Sequence, residues 1–332
     1  MPHEHEAGPR RTWQLLPVLG IALSLHLSTV PAVRAAVTEL RVATIASERV
    51  VHVRAVLVPW LKEVEAATGG RLRMRLLAGG MLGRDPGQQH WLVRTGVADV
   101  GWFTLAYEHG RFPALEHAAH RIDAADAVEA SARLYEAARM LWPAGTGTRP
   151  LAIYFSPPYV LHLAAAPDPG GSLAGRRIRI IDRATAALVA ALGGIPVTGI
   201  APMELGDALA RGVIDGALLS WHAVGPTGVL AASRVHLEGP FGMSVAVLAA
   251  RRRSLEALPD DLAGAVNGNA GRDLSVRHAA ALCRAAAAAR EQALSRGDII
   301  RPVSGWERRV PPGMRLALAA PACPRDKGGR VP

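Results

Sequence analysis

Residues 95–103, Thr-Gly-Val-Ala-Asp-Val-Gly-Trp-Phe, and residues 211–221, Arg-Gly-Val-Ile-Asp-Gly-Ala-Leu-Leu-Ser-Trp, carry one pattern twice. Each reads as the end of a helix, a Gly-Val-x-Asp turn and a strand that runs out at a tryptophan, Trp102 or Trp221. Glycine suits the left-handed stop of a helix, and the valine after it is expected to open the buried strand. The same turn used twice in one chain predicts two α/β units. Ligands of open α/β sheets bind beyond the carboxyl ends of the strands, so two such units facing each other would bring Trp102 and Trp221 to a shared cleft.

The flanking sequence repeats this grammar. Residues 40–45 read as a strand, and residues 50–68 place Val53, Val56, Leu57, Trp60, Leu61 and Val64 at helical spacing before Gly69-Gly70. Leu72, Met74 and Leu76 alternate with Arg71, Arg73 and Arg75, the signature of a half-exposed strand. A helix over 88–95 and a strand over 98–103 complete a β-α-β-α-β opening, closed by a helix over 124–141. The second unit reads as strands at 151–155, 160–164 and 177–181, a helix at 184–192, a strand at 195–198, a helix at 204–211 and a strand at 216–219. Alternation of this kind implies largely parallel sheets with helices on both faces. A strand at 245–248 precedes an Ala-rich helix over 262–293, long enough to connect two lobes rather than to cover one sheet.

Composition narrows the class. The chain has 332 residues, 50% hydrophobic and 20% charged, which supports about two packed domains. Its net charge of +10 comes almost wholly from arginine, with Lys62 and Lys327 the only lysines, and the cations are dispersed. No recognition motif accompanies them, so nucleic acid is not an expected partner. Arg10 and Arg11 precede an apolar run over 15–27 that is short for a membrane span, and Val33-Arg34-Ala35 offers a small-residue cleavage site. Residues 1–35 are therefore expected to be a cleaved export signal. Of the cysteines, Cys283 lies in the Ala-rich helix and Cys323 in a Pro-rich tail; a bridge is open to them, with a small buried Cys283 the simpler reading.

Enzyme signatures are missing. The sequence has no P-loop, no GxGxxG at a strand-to-helix turn, no HExxH and no GxSxG elbow, and no cofactor or metal is expected. His109, His117 and His120 form the one histidine group that would suit an exported hydrolase or metalloenzyme, the rival reading from the enzyme class. Arg179 is the stronger candidate. In Arg177-Ile178-Arg179-Ile180 the period of two puts both arginines on one side of a strand, and an arginine at a strand end beside a cleft is a rigid two-pronged donor for a carboxylate.

The motifs together resemble one family. Pro59-Trp60 with Thr68-Gly69-Gly70-Arg71, Gly79-Gly80-Met81-Leu82-Gly83, Gly96-Val97-Ala98-Asp99, Gly110-Arg111-Phe112-Pro113, residues 173–179 and residues 208–216 are similar to the DctP-type periplasmic solute-binding proteins of TRAP transporters, over roughly residues 40–300. The resemblance implies a two-lobed periplasmic binding protein fold with mixed sheets, helices on both faces, a ligand cleft between the lobes and a long connecting helix. It implies lobe I at 36–156, lobe II at 157–243, a return to lobe I at 244–272, a connecting helical region at 273–306 and a divergent, disordered tail at 307–332. It further implies a monomeric periplasmic receptor, not an enzyme, that binds a small organic acid and delivers it to the small and large membrane subunits of a TRAP permease. A ligand sensor for a membrane receptor is the alternative within the same fold. Carried onto this chain, the family's carboxylate-gripping arginine is Arg179. Ser220, Trp221, Trp102, Tyr159 and His162 are expected to line the pocket, and Asp85 its rim. Ser220 and His222 stand where a related subgroup has Pro and Glu, and His162 and Tyr159 where better-studied members carry a second arginine.

Overall fold

The computed structural model describes residues 37–108, 110–167, 172–303, 306, 310, 314, 318 and 320–324. The expected export signal and His109 lie outside the described residues. Among those described, no helix is long and apolar enough to cross a membrane.

Lobe I is built from β1 (Thr38–Ala43), α1 (Val58–Ala67), β2 (Leu72–Leu77), α2 (Gln89–Thr95), β3 (Val100–Thr104), α3 (Pro113–Ala119), α4 (Ala127–Leu141) and β4 (Thr148–Phe155). The chain then crosses to lobe II: β5 (Tyr159–Leu163), β6 (Arg177–Arg179), α5 (Arg183–Ala191), β7 (Ile195–Val197), α6 (Leu205–Ala210), β8 (Gly216–Ser220), α7 (Trp221–Val224), α8 (Val229–Ala232) and β9 (Val235–Glu238). It returns through β10 (Val245–Arg251), α9 (Arg252–Glu256) and α10 (Asp260–Gly268), and α11 (Arg272–Ser295) leads back to β11 (Ile299–Pro302). The sheet orders are β2-β1-β3-β10-β4 and β11-β9-β5-β8-β6-β7. Both are mixed: β1 pairs parallel with β2 and β3 and β6 with β7 and β8, whereas β10 and β5 each run antiparallel to both neighbours. Parallel pairing, expected to predominate from the alternation, is confined to β1 with β2 and β3, β6 with β7 and β8, and β9 with β11.

Both sheets are covered twice, which is why their strands read as continuous apolar runs. Along β10, Ala246, Leu248 and Ala250 enter one layer of the lobe I core while Val247 and Ala249 enter the other. Along β5, Tyr159, Leu161 and Leu163 face one layer of lobe II and Val160 the opposite one.

The repeated turn is a repeated clamp. Gly96 ends α2 and Gly212 follows α6, at φ +82° and +67°, a region closed to most side chains. The aspartate three residues on reaches across to an arginine of the neighbouring parallel strand. Arg41 donates its backbone N–H (2.9 Å) and Nε (3.0 Å) to Asp99 Oδ2, and its Nη2 reaches the Gly96 carbonyl at 2.8 Å. Arg177 does the same with Asp215 Oδ2 (2.8 and 3.2 Å) and the Gly212 carbonyl (2.6 Å). The valine does not open the strand as expected: Val97 and Val213 are 36% and 49% exposed, and the buried residues are their successors Ala98 and Ile214. The clamp turns the valine outward because the aspartate has to point back along the sheet.

Two helices depart from the sequence reading. The helix expected over 50–68 begins as a π-helical turn, Val53–Leu57, before α1. Pro59 lacks an N–H and crowds the preceding turn, and the wider coil accommodates it. The Ala-rich helix expected over 262–293 is two, because the Gly271 N–H leaves the helical ladder to donate to the Leu151 carbonyl of β4 at 2.6 Å. The second of them, α11, packs Leu274, Ala279 and Leu282 into lobe I and Ala286 and Ala293 into lobe II, so it spans both cores.

The crossings are zipped together. Ser156 N–H donates to the Ser244 carbonyl (2.8 Å), Ser244 N–H to Ser156 Oγ (2.9 Å) and Tyr159 N–H to the Gly242 carbonyl (2.8 Å). The described residues of the C-terminal stretch are packed as well. Trp306, Val310 and Leu318 are buried in lobe II, the Leu318 carbonyl accepts from Gly242 N–H at 2.9 Å, and the Ala322 carbonyl from Ala127 N–H at 2.7 Å. Cys323 is bonded to Cys283, correcting the simpler reading of Cys283 as a free buried thiol.

The bridge closes a segment with a sequence separation of 40, for which loop-closure entropy corresponds to roughly 4 kcal/mol. The Cys283→Ala/Cys323→Ala double variant is therefore expected to lose roughly 3 to 4 kcal/mol in urea unfolding, and an unchanged midpoint would show that the bridge does not form.

Candidate functional site

Arg179 ends β6, and the strand's alternation turns it inward while Arg177 serves the clamp. Its side chain is 5% exposed, yet among the described residues no carboxylate lies within ion-pair distance of it. Its Nη2 donates instead to Tyr107 Oη of lobe I at 3.1 Å and, more weakly, to the Ile200 carbonyl at 3.4 Å. Tyr107 belongs to a short 3-10 turn, Leu105–Tyr107, that follows β3, so the contact joins the two lobes.

Around this contact lie buried polar atoms with no partner. Tyr159 Oη makes no hydrogen bond of good geometry, and burial, followed by the negative Asp182, pushes its pKa upward. Arg179 and Tyr107 also act electrostatically on this hydroxyl, which places it at their side. Thr104 Oγ1, at the end of β3, is likewise unpartnered.

A second meeting of the lobes involves histidines. His52 stacks on Trp102 with ring centroids 4.5 Å apart, and Trp102 Nε1 donates to Tyr154 Oη at 2.7 Å. His52 Nε2 and His222 Nδ1 are buried without partners. Burial lowers the His52 pKa to about 3, with the nearby His222 adding to the effect, and burial lowers His222 to about 4. His278 of α11 stacks on Tyr154 at 4.5 Å, and burial holds it well below the usual imidazole range, with His52 contributing. These rings are neutral at pH 7 and hydrogen-bond as donors or acceptors without carrying charge.

Among the expected residues, Arg179 and Tyr159 lie near Tyr107 and Trp102 lies against His52; the others have partners of their own. Ser220 donates to the Pro157 carbonyl and fastens β8 to the crossing strand. Trp221 is 5% exposed, donates from Nε1 to Glu238 Oε1 at 3.0 Å and packs against His162 and His236. His162 lies one position out of phase with Leu161 and Leu163; its Nδ1 meets His236 Nδ1 at 2.7 Å and its Nε2 the Leu219 carbonyl at 3.2 Å, within lobe II. Exposed Asp85 caps its own turn by accepting from Gly87 N–H at 2.8 Å. His117 and His120 lie at the end of α3, and no metal-holding group of three is found among the described residues. Sequence reading passed over Tyr107, Thr104, His52 and Ile200, and set His222 only beside Trp221; no local pattern marks them, because each acquires its role from the opposite lobe or from an unpaired neighbour.

An open cavity of about 450 Å³, lined by Leu105, Glu116, His120, Asp182 and Leu318 among others, lies beside the Gly242 crossing, and Asp182, which acts electrostatically on Tyr159, connects it to the Arg179 contact.

No family model matches the sequence, and no curated protein matches it either. Solved structures do. A TRAP solute-binding protein from Rhodoferax ferrireducens, solved with copurified benzoate, is 26% identical, covering 82% of this chain and 88% of that one at a TM-score of 0.73. This is the fold of the TRAP solute-binding proteins. A marine metagenome TRAP protein specific for aromatic acid ligands, solved with metahydroxyphenylacetate, is 24% identical over 85% of this chain and 90% of that one, at 0.74. A TRAP periplasmic protein from Bordetella bronchiseptica with bound (R)- and (S)-mandelate is 24% identical over 82% and 89%, at 0.72. The two mixed sheets, the zipped crossings and the helix through both cores are the parts of the TRAP fold that set Arg179 opposite Tyr107.

The buried histidines give stability a pH dependence. Above about pH 6.5 they are neutral in folded and unfolded chains alike. Below it the unfolded chain takes up protons that the folded one refuses, until about pH 4 for His222 and about pH 3 for His52. Stability is therefore complete above that window and falls as pH drops through it, on the order of 1 kcal/mol per pH unit for each refused proton. Thermal scans from pH 8 to 4.5 should show a level Tm down to about pH 6.5 and a decline below it, shallower in His278→Phe; the same slope in that variant would mean that His278 does not resist protonation.

Proposed function

We propose that the protein is a non-enzymatic extracytoplasmic receptor that closes on a small organic carboxylate and delivers it to a TRAP permease. One observation carries the reading: a guanidinium buried to 5% exposure, with no carboxylate partner among the described residues, beside unpaired hydroxyls. Leaving a charge buried and unpaired costs several kcal/mol, and a ligand carboxylate would remove that cost with two parallel N–H···O bonds. Tyr159 Oη adds a neutral donor, since its raised pKa keeps the phenol protonated. Benzoate, metahydroxyphenylacetate and mandelate, the ligands of the solved relatives, are all small monocarboxylates with an aromatic ring, and the Trp102 indole offers an aromatic wall of suitable kind.

Binding proteins of this type trap ligand by closing two lobes about a hinge. Here the hinge is the pair of crossings at Ser156 and Ser244, and the closing contact is Tyr107 with Arg179. A ligand that binds only the folded state raises the unfolding temperature. Thermal unfolding against mono- and dicarboxylates, sugar acids and aromatic acids should give a shift with one acid class. Charge-assisted hydrogen bonds contribute roughly 1.5 to 3 kcal/mol, so Arg179→Ala should weaken that acid by at least about tenfold. Arg179→Lys should not restore it, because an ammonium lacks the fork. A folded protein that responds to no carboxylate, or an Arg179→Ala variant with undiminished affinity, would overturn the proposal.

A further inference from the structure

We infer that lobe I carries a second binding site at the end of its sheet away from lobe II, an arginine-lined pocket that takes a phosphate group; it stands apart from the carboxylate reading of Arg179. The pocket is open, about 490 Å³ in volume, and its lining includes Arg94, Arg251, Arg252, Arg253, Glu256 and Trp91. The sheet fixes where it lies. Arg251 ends β10 opposite Thr148, the first residue of β4, while Val245 at the other end of β10 pairs with Phe155 beside the crossing to lobe II. The 7 residues of β10, roughly 20 Å of strand, therefore separate this pocket from that crossing. A molecule bound here leaves the contact between the lobes free.

The charge of the pocket is uncompensated. Arg41, Arg71, Arg111 and Arg133 of the same lobe each have a carboxylate within ion-pair distance. Arg94, Arg251, Arg252 and Arg253 make no ion pair and no side-chain hydrogen bond among the described residues, and Glu256 pairs with none of them. Like charges gathered in this way repel one another, so the group is unfavourable until an anion joins it. Its backbone is held in place: Arg251 N–H donates to the Asp99 carbonyl at 2.8 Å and Arg252 N–H to the Gly147 carbonyl at 2.9 Å. The Arg251 guanidinium lies against Gly96, where an added Cβ would meet its Nη1 at 2.7 Å. The repeated turn supplies an internal comparison, because nothing lies within 4 Å of the same position on Gly212 in lobe II. Lobe I thus adds to the shared clamp an arginine that the clamp does not use. Gly145 and Gly147 also line the pocket with open space where a side chain would begin, so the opening reaches bare backbone. A carboxylate occupies one guanidinium fork. Four guanidiniums about one concavity suit a group with more acceptor oxygens and more charge, and a phosphate has both. Trp91, 50% exposed, is the only exposed tryptophan among those described, and an indole beside cations is also how a protein meets a phospholipid headgroup. A free phosphate and a headgroup phosphate present the same chemistry to the pocket.

The test measures binding of inorganic phosphate by calorimetry, and of phosphatidylglycerol against phosphatidylcholine vesicles by co-sedimentation, on the purified protein in 150 mM salt, where long-range attraction is screened. Arg252→Ala/Arg253→Ala is compared with Arg133→Ala/Arg139→Ala, which removes the same charge from α4. The first variant should weaken binding at least about tenfold and the second less than about twofold. Phosphate binding without vesicle binding supports the inference with a free phosphate as the source; binding of phosphatidylglycerol but not phosphatidylcholine vesicles, weakened also in Trp91→Phe, supports it with a headgroup as the source. Binding of neither probe, or equal losses in the two double variants, would overturn it. A hexaglutamate peptide bound more tightly than both probes would overturn it too and assign the pocket to an acidic protein partner. Should Arg252→Ala/Arg253→Ala fail to fold, Arg94→Gln, which alters the pocket from α2, decides in its place.

Discussion

A buried guanidinium, Arg179, that has no carboxylate partner among the described residues is the constraint on which the proposed site depends. Arg179 is kept from water by both lobes and steadied by a tyrosine hydroxyl and a backbone carbonyl, partners that satisfy its donors without neutralising it. On the receptor reading proposed above, such an arrangement would be costly without ligand and favourable once an anion is bound, which would couple binding to closure.

The scaffold holds that cation by repetition. Each lobe fixes a parallel strand pair with the same arginine-aspartate clamp and glycine stop, Arg41 with Asp99 and Arg177 with Asp215. In lobe II the clamp is also an alignment device, since anchoring Arg177 on one side of β6 determines where Arg179, two residues on, emerges. The crossings at Ser156 and Ser244, the helix α11 through both cores and the bonded Cys283–Cys323 pair then tie the lobes at the back of the molecule. Tyr107 and Arg179 make a further contact between the lobes.

Much of the architecture was legible because it depends on local rules. The duplicated Gly-Val-x-Asp turn, the Leu-Arg alternation of β2 and the helical spacing of Val53 to Val64 each reflect a periodicity that the backbone imposes. The errors have equally definite causes. Val97 and Val213 are exposed because an aspartate's reach decided the turn, and the 262–293 helix breaks because one N–H found a better acceptor in β4. The pocket was the less legible part. Arg179 could be singled out from strand phase, but phase alone does not reveal that His162 bonds His236 or that Trp221 bonds Glu238, both partners being distant in sequence.

The sequence by itself therefore determined the two α/β units, their repeated turn and the inward-facing arginine, since these follow from backbone periodicity and from the conformations that glycine allows. Tertiary structure decided which polar groups stay unpaired. Tyr159, Thr104, His52 and His222 are ordinary residues in the chain, and folding removes a polar atom of each from water without giving it a partner, whereas Tyr107 receives Arg179 from the opposite lobe. Whether a buried polar atom is satisfied depends on what the opposite lobe brings to it, and no property of the residue or its sequence neighbours carries that information.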